Sequence, residues 1–99
     1  MANYRNRQLL DLAYLLPCQH CGAPAPSEPA HSNWSRHGKG MSIKAHDNYF
    51  AALCRKCHME LDQGKNMTFE ERNDFWQAAY EKTQLEIWQR KLVKVVVWM

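Results

Sequence analysis

Cysteine and histidine spacing carries most of the chemical information in this chain. Cys18 and Cys21 form one C-x2-C pair, and Cys54 and Cys57 form a second. A pair at this spacing offers two thiolates from a single tight turn, and two such pairs supply the four sulfurs of a tetrahedral structural zinc site. Two disulfides or a redox dithiol are the other chemistries open to four cysteines, and the paired spacing favours zinc over both. His58 follows Cys57 directly, so whatever fixes Cys57 also fixes that imidazole. Asp62 lies four residues further on, which on a helix places it on the same face as His58. An imidazole and a carboxylate at this spacing can present themselves to one divalent cation, a weak signal alone and a stronger one beside a knuckle that orients the helix.

The elements that must hold these residues can be read from the pattern. Residues 5–16 carry six apolar residues, Leu9, Leu10, Leu12, Ala13, Leu15 and Leu16, ahead of Pro17, and predict a short helix that ends before the proline and packs on the core. The first knuckle turns on Gly22, and the proline-containing stretch 23–29 predicts loop or extended chain. A strand is expected over 30–34, carrying His31, and a second short strand or lead-in over 49–53. Between them, 35–44 is a basic loop with Arg36, His37, Lys39 and Lys44, either a solvated connection or a phosphate-contacting surface. A helix is expected over 57–63, stopped by Gly64. Thr68 and Glu71 form a capping box that opens a longer helix over about 68–92, with Phe69, Trp76, Ala79, Tyr80, Thr83 and Ile87 near one face as core or a dimer seam. The apolar tail after 92 predicts an added strand or simple packing. One domain spanning 1–99 is expected, with its core in 18–64.

At 99 residues the chain is short enough to need stapling beyond a hydrophobic core. A net charge of +3 permits a polyanionic partner without requiring one. The polar N-terminus lacks the apolar region of a secretory signal, so the cytoplasm is the expected compartment. No apolar run approaches the roughly 18 residues needed to span a bilayer.

The string from Asn48 through Cys54, Cys57 and His58 to Asp62 resembles the second half of an HNH (ββα-metal, His-Me finger) nuclease motif, in the variant whose ββα unit carries two C-x2-C pairs. Upstream, Pro29-Ala30-His31-Ser32 resembles the first-strand histidine of that motif, and the likeness is greatest to short prophage-encoded nucleases of the YbcO type. It covers roughly 18–64. The resemblance implies a small α+β domain, a ββα-metal core with a four-cysteine zinc site flanked by N- and C-terminal helices. It also implies an endonuclease that hydrolyses phosphodiester bonds in DNA. His31 would be the general base, neutral at cellular pH because an unperturbed imidazole titrates near about 6.5. His58 and Asp62 would hold catalytic Mg2+ or Mn2+, while Asn48 or Asp47 would back the catalytic histidine. The structural Zn2+ would sit on Cys18, Cys21, Cys54 and Cys57 and take no part in the chemistry. Many family members place a metal ligand immediately before the base, where this chain has Ala30; Glu28 points the same way if the strand is regular.

A second reading is a non-catalytic zinc-binding module that holds nucleic-acid phosphates through Arg36, Lys39, Lys44, Arg55 and Lys56. A third is a protein–protein adaptor working through the aromatic C-terminal helix, which could equally serve a homodimer making double-strand cuts. A binder needs no histidine after the second knuckle, no Asp62 one turn on and no strand histidine, so their joint presence favours the enzyme. The enzyme reading expects His31, His58 and Asp62 to converge on one open point. His20 is expected to be exposed within the first knuckle, and His37 and His46 to be solvated loop residues.

Overall fold

The structure is a computed structural model that describes residues 5–32, 46–64 and 66–92. Along the described chain run α1 (Arg7–Asp11), a 3-10 turn (Leu12–Leu15), β1 (Glu28–His31), β2 (Phe50–Leu53), α2 (Arg55–Gln63) and α3 (Phe69–Gln89). This is a small α+β fold in which β1 and β2 pair antiparallel. No helix among the described residues is long and apolar enough to cross a membrane.

The first helix opens at Asn6, whose side chain accepts from the Leu9 N–H at 3.1 Å. It does not run unbroken to Leu16 as the apolar pattern predicts. It tightens into the 3-10 turn at Leu12, and Leu16 is already extended, the conformation that a following proline imposes. Leu9, Ala13 and Leu16 are the residues this segment buries.

β1 starts two residues earlier than expected, at Glu28, and includes Pro29. Proline removes a ladder donor and usually argues against a strand. Here Pro29 stands opposite Ala52, whose N–H donates outward to Thr83 Oγ1 and whose carbonyl accepts from Gln19 N–H, both at 2.9 Å. With both Ala52 groups turned away from β1, the pair is a non-hydrogen-bonded one and the missing proline N–H costs no bond.

All four β2 residues are buried because the sheet is covered on both faces. Ala51, Leu53 and Ala30 join Cys18, Cys57, Leu61, Trp76 and Ala79 on one side. Phe50 and Ala52 join Leu9, Ala13, Leu16 and Ile87 on the other. The helix α3 serves both clusters by crossing the outer edge of β2. There Thr83 Oγ1 accepts from Ala52 and donates to the Ala79 carbonyl at 2.7 Å, closing an edge that would otherwise expose its backbone.

The Thr68–Glu71 capping box forms in both directions. Trp76, Ala79, Thr83 and Ile87 are buried and Tyr80 is half-buried, in line with the predicted face. Phe69 is not part of it: at 68% exposure it sits in the first turn, ahead of the positions that reach the sheet. The helix α2 ends at Gly64, where a Cβ would come within 2.3 Å of the Glu60 carbonyl oxygen. Arg72 on α3 donates to the carbonyls of Leu61 and Gly64, satisfying the exposed end of α2 and tying the two helices together.

Candidate metal centre and two histidine–carboxylate units

The two knuckles meet where the first cysteine loop packs on β2. The Gln19 N–H bonds Ala52, and β2 delivers Cys54 to the start of α2, with Cys57 one turn in. The four Sγ atoms all lie within 4.8 Å of one another, and Cys21 and Cys54 are 3.7 Å apart. Tetrahedral zinc with Zn–S bonds of about 2.3 Å requires sulfurs about 3.8 Å apart. All four cysteines are free, and the 3.7 Å contact is far beyond a disulfide bond. The donor set therefore fits a metal ion such as zinc.

The surroundings favour a thiolate at Cys18. Burial acts to raise the Cys18 thiol, but backbone N–H groups of Cys21, Cys54 and His20 outweigh it and bring it down to about 6. Two of those donors, His20 and Cys21, lie 3.4 Å from Cys18 Sγ. Cys57 moves the other way, pushed up by burial and by the crowd of neighbouring sulfurs. Among the described residues the four-cysteine cluster is the one group of three or more Cys, His, Asp or Glu whose donor atoms gather this closely.

Beside it stands His58, between two carboxylates. Nδ1 is 2.7 Å from Glu28 Oε1 and Nε2 is 3.2 Å from Asp62 Oδ2. Asp62 first, then Glu28, raise the imidazole pKa, against partial burial that lowers it. The i,i+4 spacing on α2 brings Asp62 in, and strand alternation brings Glu28 in: it shares the face of β1 that Ala30 presents to α2. Ala30 itself is buried in the core, its carbonyl accepting from Trp76 Nε1 at 2.9 Å. Arg55 is exposed, with its guanidinium 3.7 Å from Glu28.

His31 belongs to a different unit. Its Nε2 is 2.9 Å from Asp47 Oδ1, while the other Asp47 oxygen accepts from the Asn6 N–H at 2.7 Å and Arg5 approaches at 3.4 Å. Asp47 is buried; burial acts to raise its pKa, but His31, the Asn6 N–H and Arg5 together hold it below the usual value of 3.8. Of the two candidates for backing His31, the structure puts Asp47 in that place and leaves Asn48 beside it in the turn. His31 lies three residues from Glu28 along β1, hence on the opposite face, so the convergence of His31, His58 and Asp62 that the enzyme reading expects is not met, which favours the binding-module reading. What joins the two units is the strand itself.

The remaining candidates divide. Lys56 is exposed on α2. Arg36, His37, Lys39 and Lys44 lie outside the described residues, as does the tail after 92. His20 is exposed in the knuckle, with its ring stacked on Phe75 at 3.9 Å between centroids. His46 is half-buried, 6.4 Å from the Tyr49 ring. Arg5 and the Asn6 N–H were not legible as site residues, because they reach Asp47 across more than forty positions and no local spacing announces them.

Fold and site together give a small α+β architecture in which a four-cysteine cluster that fits a metal ion stands beside two histidine–carboxylate units. The chain belongs to a family described as protein of unknown function (DUF968), whose model matches residues 1–94. Comparison with curated proteins and with solved structures gives no match.

Proposed function

We propose that this protein is a metal-dependent endonuclease of the HNH type that hydrolyses phosphodiester bonds in DNA. The observation that carries the reading is the pairing of His58 Nε2 with Asp62, while Glu28 holds the opposite ring nitrogen. A metal-binding histidine characteristically donates its other N–H to a carboxylate, which fixes the tautomer and aims the free nitrogen. The 3.2 Å between His58 Nε2 and Asp62 Oδ2 is close to the separation of about 3.0 Å between adjacent ligands on an octahedral ion with bonds of about 2.1 Å. Bound Mg2+ or Mn2+ would supply positive charge to the phosphoryl group and leaving oxygen.

The chain's own residues do the rest. His31 accepts a proton from the attacking water while Asp47 holds its ring and offsets the positive charge it acquires. In-line attack puts water and leaving group on opposite sides of phosphorus. His31 and the His58–Asp62 pair lie on opposite faces of β1 and do not converge on one open point, so cleavage requires the scissile phosphate to sit at the strand end within reach of both. Cys18, Cys21, Cys54 and Cys57 would hold the zinc, which would fix His58 relative to β1.

The test is nicking of supercoiled plasmid by zinc-loaded protein with and without added Mg2+ or Mn2+, alongside His31→Ala. The proposal expects cleavage that needs the added metal and falls by about 10²–10⁴ in the variant. A second reading, a zinc-stapled nucleic-acid-binding module without catalysis, draws support from the opposite facing of His31 and Glu28 on β1. DNA bound but uncut under every metal would establish it.

A further inference from the structure

A groove of about 450 Å³ opens on the flank of α2 away from the His58–Asp62 pair, bordered by Cys21 and Cys57 of the sulfur cluster and by His20, Lys56, Glu60 and Phe75. At about 100° per residue, Lys56 and Glu60 share one side of α2 and His58 and Asp62 the other. The groove is of a size that admits a small organic ring system. Its wall is a stacked aromatic pair, the His20 imidazole lying 3.9 Å from the Phe75 ring at 19°. Phe75 is half-buried against the core and His20 is exposed. His20 is also held in place from below, because its backbone N–H bonds Cys18 Sγ at 3.4 Å.

We infer that this groove receives an unpaired nucleobase carrying an exocyclic amino group, one to three nucleotides from the scissile phosphate. The inference rests on the nucleic-acid reading above and names its substrate: single-stranded or locally unpaired DNA, since a base within a duplex cannot enter. The flat His20–Phe75 pair offers a stacking surface, and stacking on an aromatic side chain is how proteins hold unpaired bases. Glu60, one of the lining residues, supplies a carboxylate acceptor, the partner that cytosine N4 takes. Lys56 and Arg55, both exposed at the first turn of α2, supply cations where the backbone would pass between the groove and His58. The thickness of the helix, about 10–12 Å with side chains, corresponds to about three stacked nucleotides at about 3.4 Å each. The chemistry does not suit an acidic peptide equally, because Glu60 would then face like charge.

Fluorescence anisotropy of zinc-loaded protein with labelled single strands tests this: a dC octamer, a dT octamer and an abasic octamer of the same phosphate count. Wild-type protein should bind dC about tenfold more tightly than the abasic strand, with dT between them. His20→Ala should weaken dC binding about tenfold and leave abasic binding unchanged. Glu60→Gln should erase the preference of dC over dT. Equal binding of all three strands by wild type, or an equal loss on dC and abasic strands in His20→Ala, overturns the groove assignment while leaving the nuclease reading intact. If no strand binds and plasmid is not cleaved, the nuclease reading itself falls, and the groove assignment falls with it.

Discussion

The two histidines of the proposed site are held by opposite means. His58 takes its place mostly from local sequence: Cys57 precedes it, Asp62 is one turn on, the sulfur cluster lies at the start of the helix that carries both, and only Glu28 comes from a distant strand. His31 takes its place from the fold: Asp47 is sixteen residues away, and Asp47 is itself held by Asn6 and Arg5 at the start of α1. The short-range part of the first unit, His58 and Asp62, forms with α2 itself, and only Glu28 must be brought by β1. A unit assembled from three distant segments exists only once α1, β1 and the turn before β2 have come together. The first should therefore respond to metal and the second to packing.

The largest effect separates the two anchors from the rest of the chain. Removing zinc, or replacing Cys57 with Ser, should abolish the fold rather than loosen it. Structural zinc contributes an apparent binding free energy of about 10–16 kcal/mol, comparable to or greater than the total stability of about 5–15 kcal/mol that a domain possesses. Far-UV circular dichroism of chelator-treated protein should lose helix signal and regain it when Zn2+ is restored. Retained helix with retained melting temperature would mean that the hydrophobic clusters suffice without the metal.

Next in size are the histidines themselves. His31→Ala should cost about 10²–10⁴ in cleavage rate without altering the Mg2+ or Mn2+ concentration needed for half-maximal activity. Glu28→Gln should do the reverse, raising that concentration by about 10–100-fold through the freed His58 tautomer. If both variants shift the metal requirement, the two units are one site, and the division along β1 is wrong.

How much of this was legible follows the same line between local and distant. The knuckles, the capping box of Thr68 and Glu71 and the stop at Gly64 depend on residues within a turn of one another, and each appears where the sequence puts it. Glu28 could be anticipated by counting along a strand. The start of β1 could not: Pro29 argues against a strand until its partner Ala52 is seen to turn both backbone groups outward. Asp47 was visible as a candidate, but its superiority over Asn48 depends on Arg5 and Asn6, which only tertiary packing delivers. Phe69 fits the helical period and is exposed because period says which residues share a face, not where along the helix the sheet begins.

A smaller effect probes the packing that holds β1 and β2 beneath both units. Thr83→Val keeps the shape of the side chain and removes the hydroxyl that serves Ala52 N–H. A buried donor left without a partner costs about 1–3 kcal/mol, measurable by urea denaturation at unchanged zinc content. No change in midpoint would mean that water reaches the outer edge of β2.

The smallest effect concerns the carboxylate behind His31. Asp47→Asn keeps a carbonyl oxygen to accept from the Asn6 N–H but removes the charge that faces His31 and Arg5. Hydrogen bonds to charged groups exceed neutral ones by about 1 kcal/mol, a shift of about 4–8 °C in melting temperature for a domain of this size. The sign with pH follows from the direction of its titration. Asp47 ionises below the usual 3.8 in the folded protein, so its contribution is fully present above that value and disappears only as acid carries the pH down through its folded pKa. The gap between wild type and Asp47→Asn should accordingly persist from about pH 5 to about pH 8 in zinc-loaded protein, over which the carboxylate stays ionised. A gap that closed as the pH fell within that range would mean that Asp47 is not held ionised there, and it could then no longer offset the charge that a general base at His31 acquires.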